Sequence, residues 1–185
     1  MDESATGSAN FLVQNAFRYC PACGSELPGP PPVTCSACGA RHWLNAKPGA
    51  GAMVVRDGRL LLVRRAHDPW RGLWCAPGGF CEPDEHPADA AVRETLEEAG
   101  LAVRITGYLG IWVSRYDGDW ISVAYYHAVP EGDVGEPGAE VDDVRWFEPS
   151  ELPSEVAPPG TFERVLAAWG RAVAEGRTET PLDDR

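Results

Sequence analysis

The chain has 185 residues, of which 44% are hydrophobic and 24% charged, and its formal net charge is −12. That length allows one α/β core with a small appendage, and the composition is that of an ordinary globular protein. The acidity argues against nucleic acid or an anionic membrane surface as a partner, since both need a basic footprint, and no apolar run approaches the ~18 residues of a membrane-spanning helix.

Residues 1–17 start MDESATGSAN, acidic and polar rather than a secretory leader. They read as a mobile arm, with Phe11, Leu12 and Val13 as an apolar patch, and the expected location is a reducing cytoplasm. Residues 18–44 hold two Cys-x-x-Cys-Gly knuckles, Cys20/Cys23 and Cys35/Cys38, on either side of a Pro/Gly-rich spacer. Backbone N–H groups of such knuckles point at the thiolates, and two knuckles supply four sulfurs in tetrahedral array. In a cytosolic protein this pattern favours metal over disulfides. The expectation is a closed, structural four-cysteine zinc ribbon with no coordination position left for water. Iron suits the same thiolates, and two redox disulfides are the rival reading. The segment has few large apolar residues, so the metal would supply most of its stability. Arg18, Arg41 and Lys47 form a local basic patch in an otherwise acidic chain.

The main domain is expected over residues 45–176, entered through Asn45-Ala46-Lys47-Pro48. Residues 49–55 and 59–65 read as strands around an Asp57-Gly58 hairpin turn. Leu60-Leu61-Leu62-Val63 is apolar enough for a buried strand, which Arg64 and Arg65 close. Trp70 and Trp74 are assigned to core or loop packing, and Cys75 and Cys81 to small buried apolar positions. A Gly-rich turn and an acidic loop then lead into a helix with Pro87 in its first turn and Gly100 at its C-cap. On that helix Glu94, Glu97 and Glu98 share one face, at i, i+3 and i+4. Val92, Leu96 and Ala99 point the other way. Like charges so close cost free energy on a lone helix, and a hard divalent cation with oxygen ligands reverses that cost. A solvated charged face is the plain alternative.

Further strands are expected at 103–108, 110–114, 120–129 and 144–147, with a turn at Asp117-Gly118 and an acidic surface loop over 131–143. A helical turn follows at 149–153. Residues 161–175 carry Phe162, Val165, Leu166, Trp169 and Val173 at helical spacing, and 177–185 form a polar tail. Trp112, Tyr116 and Trp120 are core or rim residues that could also stack a base. Strands interleaved with two helices suit an α/β sandwich with a mixed sheet.

The stretch 79–101 resembles the Nudix box, with Gly79, Glu85, Arg93, Glu94, Glu97, Glu98, Gly100 and Leu101 on its fixed positions and Thr95 as the one departure. The resemblance implies a Nudix α/β/α sandwich. It implies Mg²⁺- or Mn²⁺-dependent attack of water on a pyrophosphate, in a nucleoside diphosphate linked to another moiety. Such a transition state spreads negative charge over phosphoryl oxygens and needs electrostatic stabilisation. By the same match Glu94, Glu97, Glu98 and the Gly78 carbonyl would hold the metal, while Arg93 and Glu85 support the box. Arg64 and Arg65 would face substrate phosphate. Tyr116 lies near the substrate tyrosine of dinucleoside polyphosphate hydrolases. The general base would be a box glutamate or Glu140. A homodimer is also implied.

A ribbon followed by the box is similar in layout to the NADH pyrophosphatases, whose Ser-Gln-Pro-Trp-Pro-Phe-Pro motif is missing. Ile111-Trp112-Val113-Ser114-Arg115-Tyr116 stands there instead. No proline lies between Leu101 and Val129, where ADP-ribose pyrophosphatases have one. The rival expectations are an NADH or NAD-cap pyrophosphatase, and a sensor that binds a nucleotide uncleaved while its ribbon contacts a partner. A pure binder has no need of all the box glutamates.

Overall fold

A computed structural model describes residues 18–179; the expected arm and the last part of the expected tail lie outside the described residues. The chain separates into two compact units, Met1–Asn45 and Ala46–Arg185.

In the first unit β1 (Val33–Thr34) pairs antiparallel with β2 (Arg41–His42). The two knuckles are closed by backbone hydrogen bonds, Gly24 N–H to Cys20 O at 2.8 Å and Gly39 N–H to Cys35 O at 2.9 Å. Among the described residues the unit's core is formed by Cys20, Leu27, Val33 and Cys35 with Ala40 against them.

The second unit is built on β3 (Lys47–Arg56) and β4 (Arg59–Arg65), a hairpin with Val55 opposite Leu60. Asp57 and Gly58 take φ values of 51° and 79°, the left-handed pair that a tight two-residue hairpin turn requires. Next come β5 (Trp74–Cys75), β6 (Gly78–Phe80), α1 (Pro87–Ala99), β7 (Val103–Tyr116), β8 (Asp119–Pro130), β9 (Val141–Phe147) and α2 (Phe162–Ala174). The sheet order is β5-β4-β3-β8-β7, with β6 paired to β3 and β9 to β4. β3 and β8 run parallel and the other pairs antiparallel, so the sheet is mixed.

Strand alternation sorts the central residues into two layers. Ala50, Ala52, Val54, Leu61, Val63, Ala124, Tyr126 and Ala128 pack with the small residues of α1, whereas Met53, Leu60, Leu62 and Tyr125 pack with Phe162, Val165 and Trp169 of α2. Leu60 through Val63 is fully buried, as a strand covered on both faces should be. Among the described residues no helix is long and apolar enough to cross a membrane.

Some details depart from the sequence expectation. The two short strands expected at 103–108 and 110–114 are one strand, β7, which keeps pairing with β8 through register shifts at 105/107 and 108/110. β9 starts at Val141 rather than 144, because Arg64 and Arg65 of β4 extend the ladder to Asp143 and Val141. On α1 the buried row is Ala88, Ala91, Thr95 and Glu98, while Leu96 is 52% exposed. The side carrying small residues is the one that can approach the sheet closely. Thr95 tolerates burial because its hydroxyl donates to Ala91 O at 2.7 Å. Val173, expected on the packed face of α2, is likewise exposed; the buried stripe there is Phe162, Val165, Trp169 and Ala172.

Candidate active site and cysteine cluster

The helix that carries the glutamates is fixed at both ends. His86 is its N-cap, with Nδ1 accepting from Ala88 N–H at 3.1 Å, and Pro87 follows in the first turn. Gly100 ends it at φ 61°, with its N–H on Leu96 O at 2.9 Å. The acidic loop before β9 then folds back over this C-terminus. Gly135 N–H bonds Ala99 O at 3.0 Å and Gly138 N–H bonds Glu98 O at 3.1 Å. That return brings Glu140 to the helix glutamates.

Glu94, Glu97, Glu98 and Glu140 line one cavity of about 390 Å³, together with Gly78, Gly79, Arg65, Trp70, Tyr116 and Tyr125. Among the described residues Arg65 is the one cation in that lining. Glu98 is only 8% exposed. Its Oε2 accepts from Gly78 N–H at 2.9 Å. Burial, with the charges of Glu94 and Glu140 adding to it, lifts its pKa to about 8 against the pull of the Gly78 amide and Arg65. Burial also raises Glu94, with Arg93 opposing and Glu97 and Glu140 reinforcing. An excess of carboxylates held partly out of water is a donor set that suits a hard divalent cation.

Arg93 organises the rim. Its Nε and Nη2 donate to the Glu85 carboxylate at 2.8 Å each, and Nη2 also reaches Phe80 O at 3.0 Å. Its Nη1 donates to Glu94 at 2.8 Å and to Glu97 at 3.1 Å. The bond to Arg93 holds the Glu85 carboxyl down near pKa 2, helped by the Glu82 backbone amide. This is more than the single helix pair that spacing alone suggested. It also explains why the glutamates stand apart: Glu94 and Glu97 are drawn to Arg93, and Glu98 to Gly78. Among the described residues only Cys20, Cys23, Cys35 and Cys38 bring three or more ligand atoms within 4.8 Å of one another.

The Glu94 carboxylate lies against Gly79. A Cβ there would lie 2.5 Å from Glu94 Oε1. Gly79→Ala is therefore expected to push the Glu94 carboxylate off the turn and cut turnover by at least about tenfold, with far-UV circular dichroism unchanged. Wild-type kinetics in this variant would refute the packing argument.

The two arginines that close β4 part company. Arg65 lines the cavity, with Nε on Pro69 O at 2.8 Å and Nη2 on Tyr116 OH at 3.2 Å. Arg64 does not: its Nε bonds Asp142 at 2.6 Å and its guanidinium lies 5.7 Å from the Trp74 ring centroid. Strand alternation explains the split, because Leu60 and Leu62 share the face of Arg64, and Leu61 and Val63 that of Arg65. Glu85 stays at the rim through Arg93 and does not line the cavity. Trp70, assigned to packing from the sequence, lines it, and Tyr116 stands edge-on between Trp70 at 5.5 Å and Phe80 at 5.7 Å. Trp74 does pack, edge-on to Phe147 at 4.9 Å. Cys75 also lines the cavity, and burial pushes its thiol up to about 12.

In the ribbon the cysteines are free thiols, with Sγ–Sγ distances of 3.7 Å for Cys20–Cys38 and for Cys23–Cys35. Four sulfurs at this spacing, in two hydrogen-bonded knuckles, fit one tetrahedral metal ion. The His42 ring Nε2 lies 3.2 Å from Cys20 Sγ.

Residues 46–167 match the model of the NUDIX domain. The chain belongs to the NUDIX family. A solved NUDIX hydrolase from Nitrosomonas europaea superposes with a TM-score of 0.75 and 27% identity, over 89% of this chain and 96% of that one. A MutT-like protein from Streptomyces ambofaciens is 35% identical over 108 residues, 58% of this chain and 67% of the relative. The NAD-capped RNA hydrolase NudC of Pseudomonas fluorescens is 27% identical over 141 residues, 74% of this chain. The NUDIX chain described here spans only 50% of that relative's length. The mixed sheet between α1 and α2 is the NUDIX fold, an α/β architecture, and the four-cysteine cluster that precedes it is compatible with a small zinc ribbon.

Proposed function

We propose that this chain hydrolyses a pyrophosphate bond in a nucleoside diphosphate linked to another moiety, using Mg²⁺ or Mn²⁺. The observation that carries this reading is the surplus of carboxylates, Glu82, Glu94, Glu97, Glu98 and Glu140, on one cavity whose lining among the described residues holds a single arginine. NUDIX hydrolases use divalent metals, and Glu94, Glu97 and Glu98, with the Gly78 carbonyl, are the residues that would hold the ion. When bound, it would neutralise phosphoryl charge and acidify a water.

The chain's own groups would do the remaining work. Arg93 and Glu85 fix the box glutamates in place. Arg65 and Tyr116 face the phosphates and the attached group. Glu140, held at the helix by the returning loop, is positioned to take a proton from the attacking water. The ribbon would hold one structural zinc on Cys20, Cys23, Cys35 and Cys38. Four cysteine thiolates given to a metal suit a reducing cytoplasm. The homodimer implied by resemblance is checked by light scattering. A second reading, an NADH or NAD-cap pyrophosphatase, is favoured by the name of the NudC relative.

Phosphate release after a coupled phosphatase, with Mg²⁺ and a panel of NADH, NAD⁺, ADP-ribose, dinucleoside polyphosphates, nucleotide sugars and nucleoside triphosphates, tests the assignment. Turnover of at least one diphosphate-linked compound is the expected result. Binding without turnover across the panel would instead support a nucleotide sensor.

A further inference from the structure

The cysteine ribbon repeats itself. Cys20, Cys23 and Gly24 in its first half correspond to Cys35, Cys38 and Gly39 in its second. The backbone follows the same correspondence. Cys20 N–H bonds Ser25 O and Cys35 N–H bonds Ala40 O, both at 2.8 Å. Tyr19 pairs with Glu26 as Thr34 pairs with Arg41. The backbone amides of Ser25 and Ala40 each serve a sulfur, Cys23 and Cys38 in turn.

Side chains break the repeat, and two of the differences bring an extra donor to sulfur. Ser25 stands where the second half has Ala40, and its hydroxyl bonds Cys23 of its own knuckle. His42 stands where the first half has Leu27. Leu27 is buried and belongs to the ribbon's core together with Cys35. His42 is half-buried, and its Nε2 lies 3.2 Å from Cys20 Sγ, in the opposite knuckle. A sulfur that holds a metal is a thiolate and can only accept, so Nε2 is the ring nitrogen that carries hydrogen there. The four sulfurs form their set, within 4.8 Å of one another, without His42.

We propose that His42 is a positioning residue of the ribbon's metal: its ring N–H bonds the Cys20 thiolate, ties the second half of the ribbon to the first knuckle and slows release of the ion. The inference rests on the zinc reading given above. Four thiolates around a divalent ion leave surplus negative charge at the centre. An N–H aimed at one sulfur takes up part of that charge and fixes the sulfur's direction. Groups that act on a ligand in this way change metal affinity by about 10–100-fold. A leucine at the same place, as in the first half, fills space and gives sulfur nothing.

The full chain loaded with zinc is mixed with the chelator pyridylazoresorcinol, and zinc release is timed for wild type, His42→Leu and His42→Gln. Leu copies the residue of the first half, and Gln keeps an N–H donor at similar reach. The expected result is release about tenfold or more faster in His42→Leu and within about threefold of wild type in His42→Gln. Cobalt-loaded chains give a readout that packing does not move. Losing a hydrogen bond raises the energy of the sulfur electrons, so the sulfur-to-cobalt charge-transfer band should shift to longer wavelength in His42→Leu and return in His42→Gln. Equal release and equal bands in wild type and His42→Leu would overturn the bond. Faster release in both variants, or faster release with an unmoved band, would reduce His42 to packing and overturn it as well. A wild-type band with the intensity of three thiolates would make His42 a ligand, against the proposal. A wild-type chain that takes up no metal would remove the zinc reading itself, and this inference with it.

Discussion

Replacing Glu98 by Gln is expected to cut turnover severely and, in the metal-free protein, to raise stability above neutral pH. Both effects follow from one side chain that is nearly buried and holds a single neutral amide donor. Its folded pKa of about 8 lies above the ordinary glutamate value of 4.5. An acid whose pKa is raised by folding favours the folded state fully at pH values below its unfolded pKa. That contribution is lost as pH rises through the folded value, so between roughly pH 4.5 and 8 the wild-type chain without metal loses stability on the order of a few kcal/mol from this group. Gln cannot ionise and escapes the loss.

A divalent cation held by Glu98 would work in the opposite direction, since it would bind the ionised carboxylate and the folded state. Melting curves at pH 5 and pH 8.5, with and without Mg²⁺, should show a wild-type Tm that rises with Mg²⁺ at the higher pH. The variant should be more stable without metal at that pH and respond little to Mg²⁺. Turnover should fall by about a hundredfold or more, the scale of losing one preorganised electrostatic group. Near-wild-type turnover in Glu98→Gln would remove this residue from the chemistry. Identical pH profiles for the two proteins would remove the buried-charge argument.

Cys35→Ser should have the largest effect on the ribbon. Elemental analysis of the wild-type chain should find about one zinc per chain, and of the variant almost none. Among the described residues the ribbon's core cluster has four buried members, two of them cysteines. So small a core cannot offset chain entropy, and metal binding becomes folding free energy, ~10–16 kcal/mol in isolated zinc-binding peptides. Limited proteolysis should cut the variant within 24–34, where the wild type resists. Cys81→Ser, outside the cluster, is the control and should keep its metal. A Cys35→Ser chain that retains one zinc would count against the four-thiol site.

Much of the frame is legible in local signals. The Asp57-Gly58 and Asp117-Gly118 turns, the doubly buried run Leu60–Val63 and the Pro87 to Gly100 limits of the helix each follow from backbone chemistry that short segments already contain. The carboxylate face was legible for the same reason, because helical spacing alone gathers Glu94, Glu97 and Glu98. What escaped depended on distant partners. Leu96 looks like a core residue until the sheet selects the row of small residues instead. Thr95 looks out of place until its hydroxyl finds Ala91 O. Trp70 shows no periodic signal, and only the turn braced by Arg65 turns it into the wall of a cavity. Strand alternation could have told Arg64 from Arg65, since consecutive residues of a strand face opposite layers.

The hydrogen bond from Gly78 N–H to Glu98 has a spectroscopic use. That amide reads the state of one carboxylate from a position where glycine has no side chain to respond on its own account. Its proton and nitrogen resonances should shift as Glu98 gains a proton or a cation, and they should do so in the absence of any substrate. In a ¹⁵N-labelled sample, one backbone signal would then follow occupancy of the active site across pH and Mg²⁺ concentration, separately from catalysis.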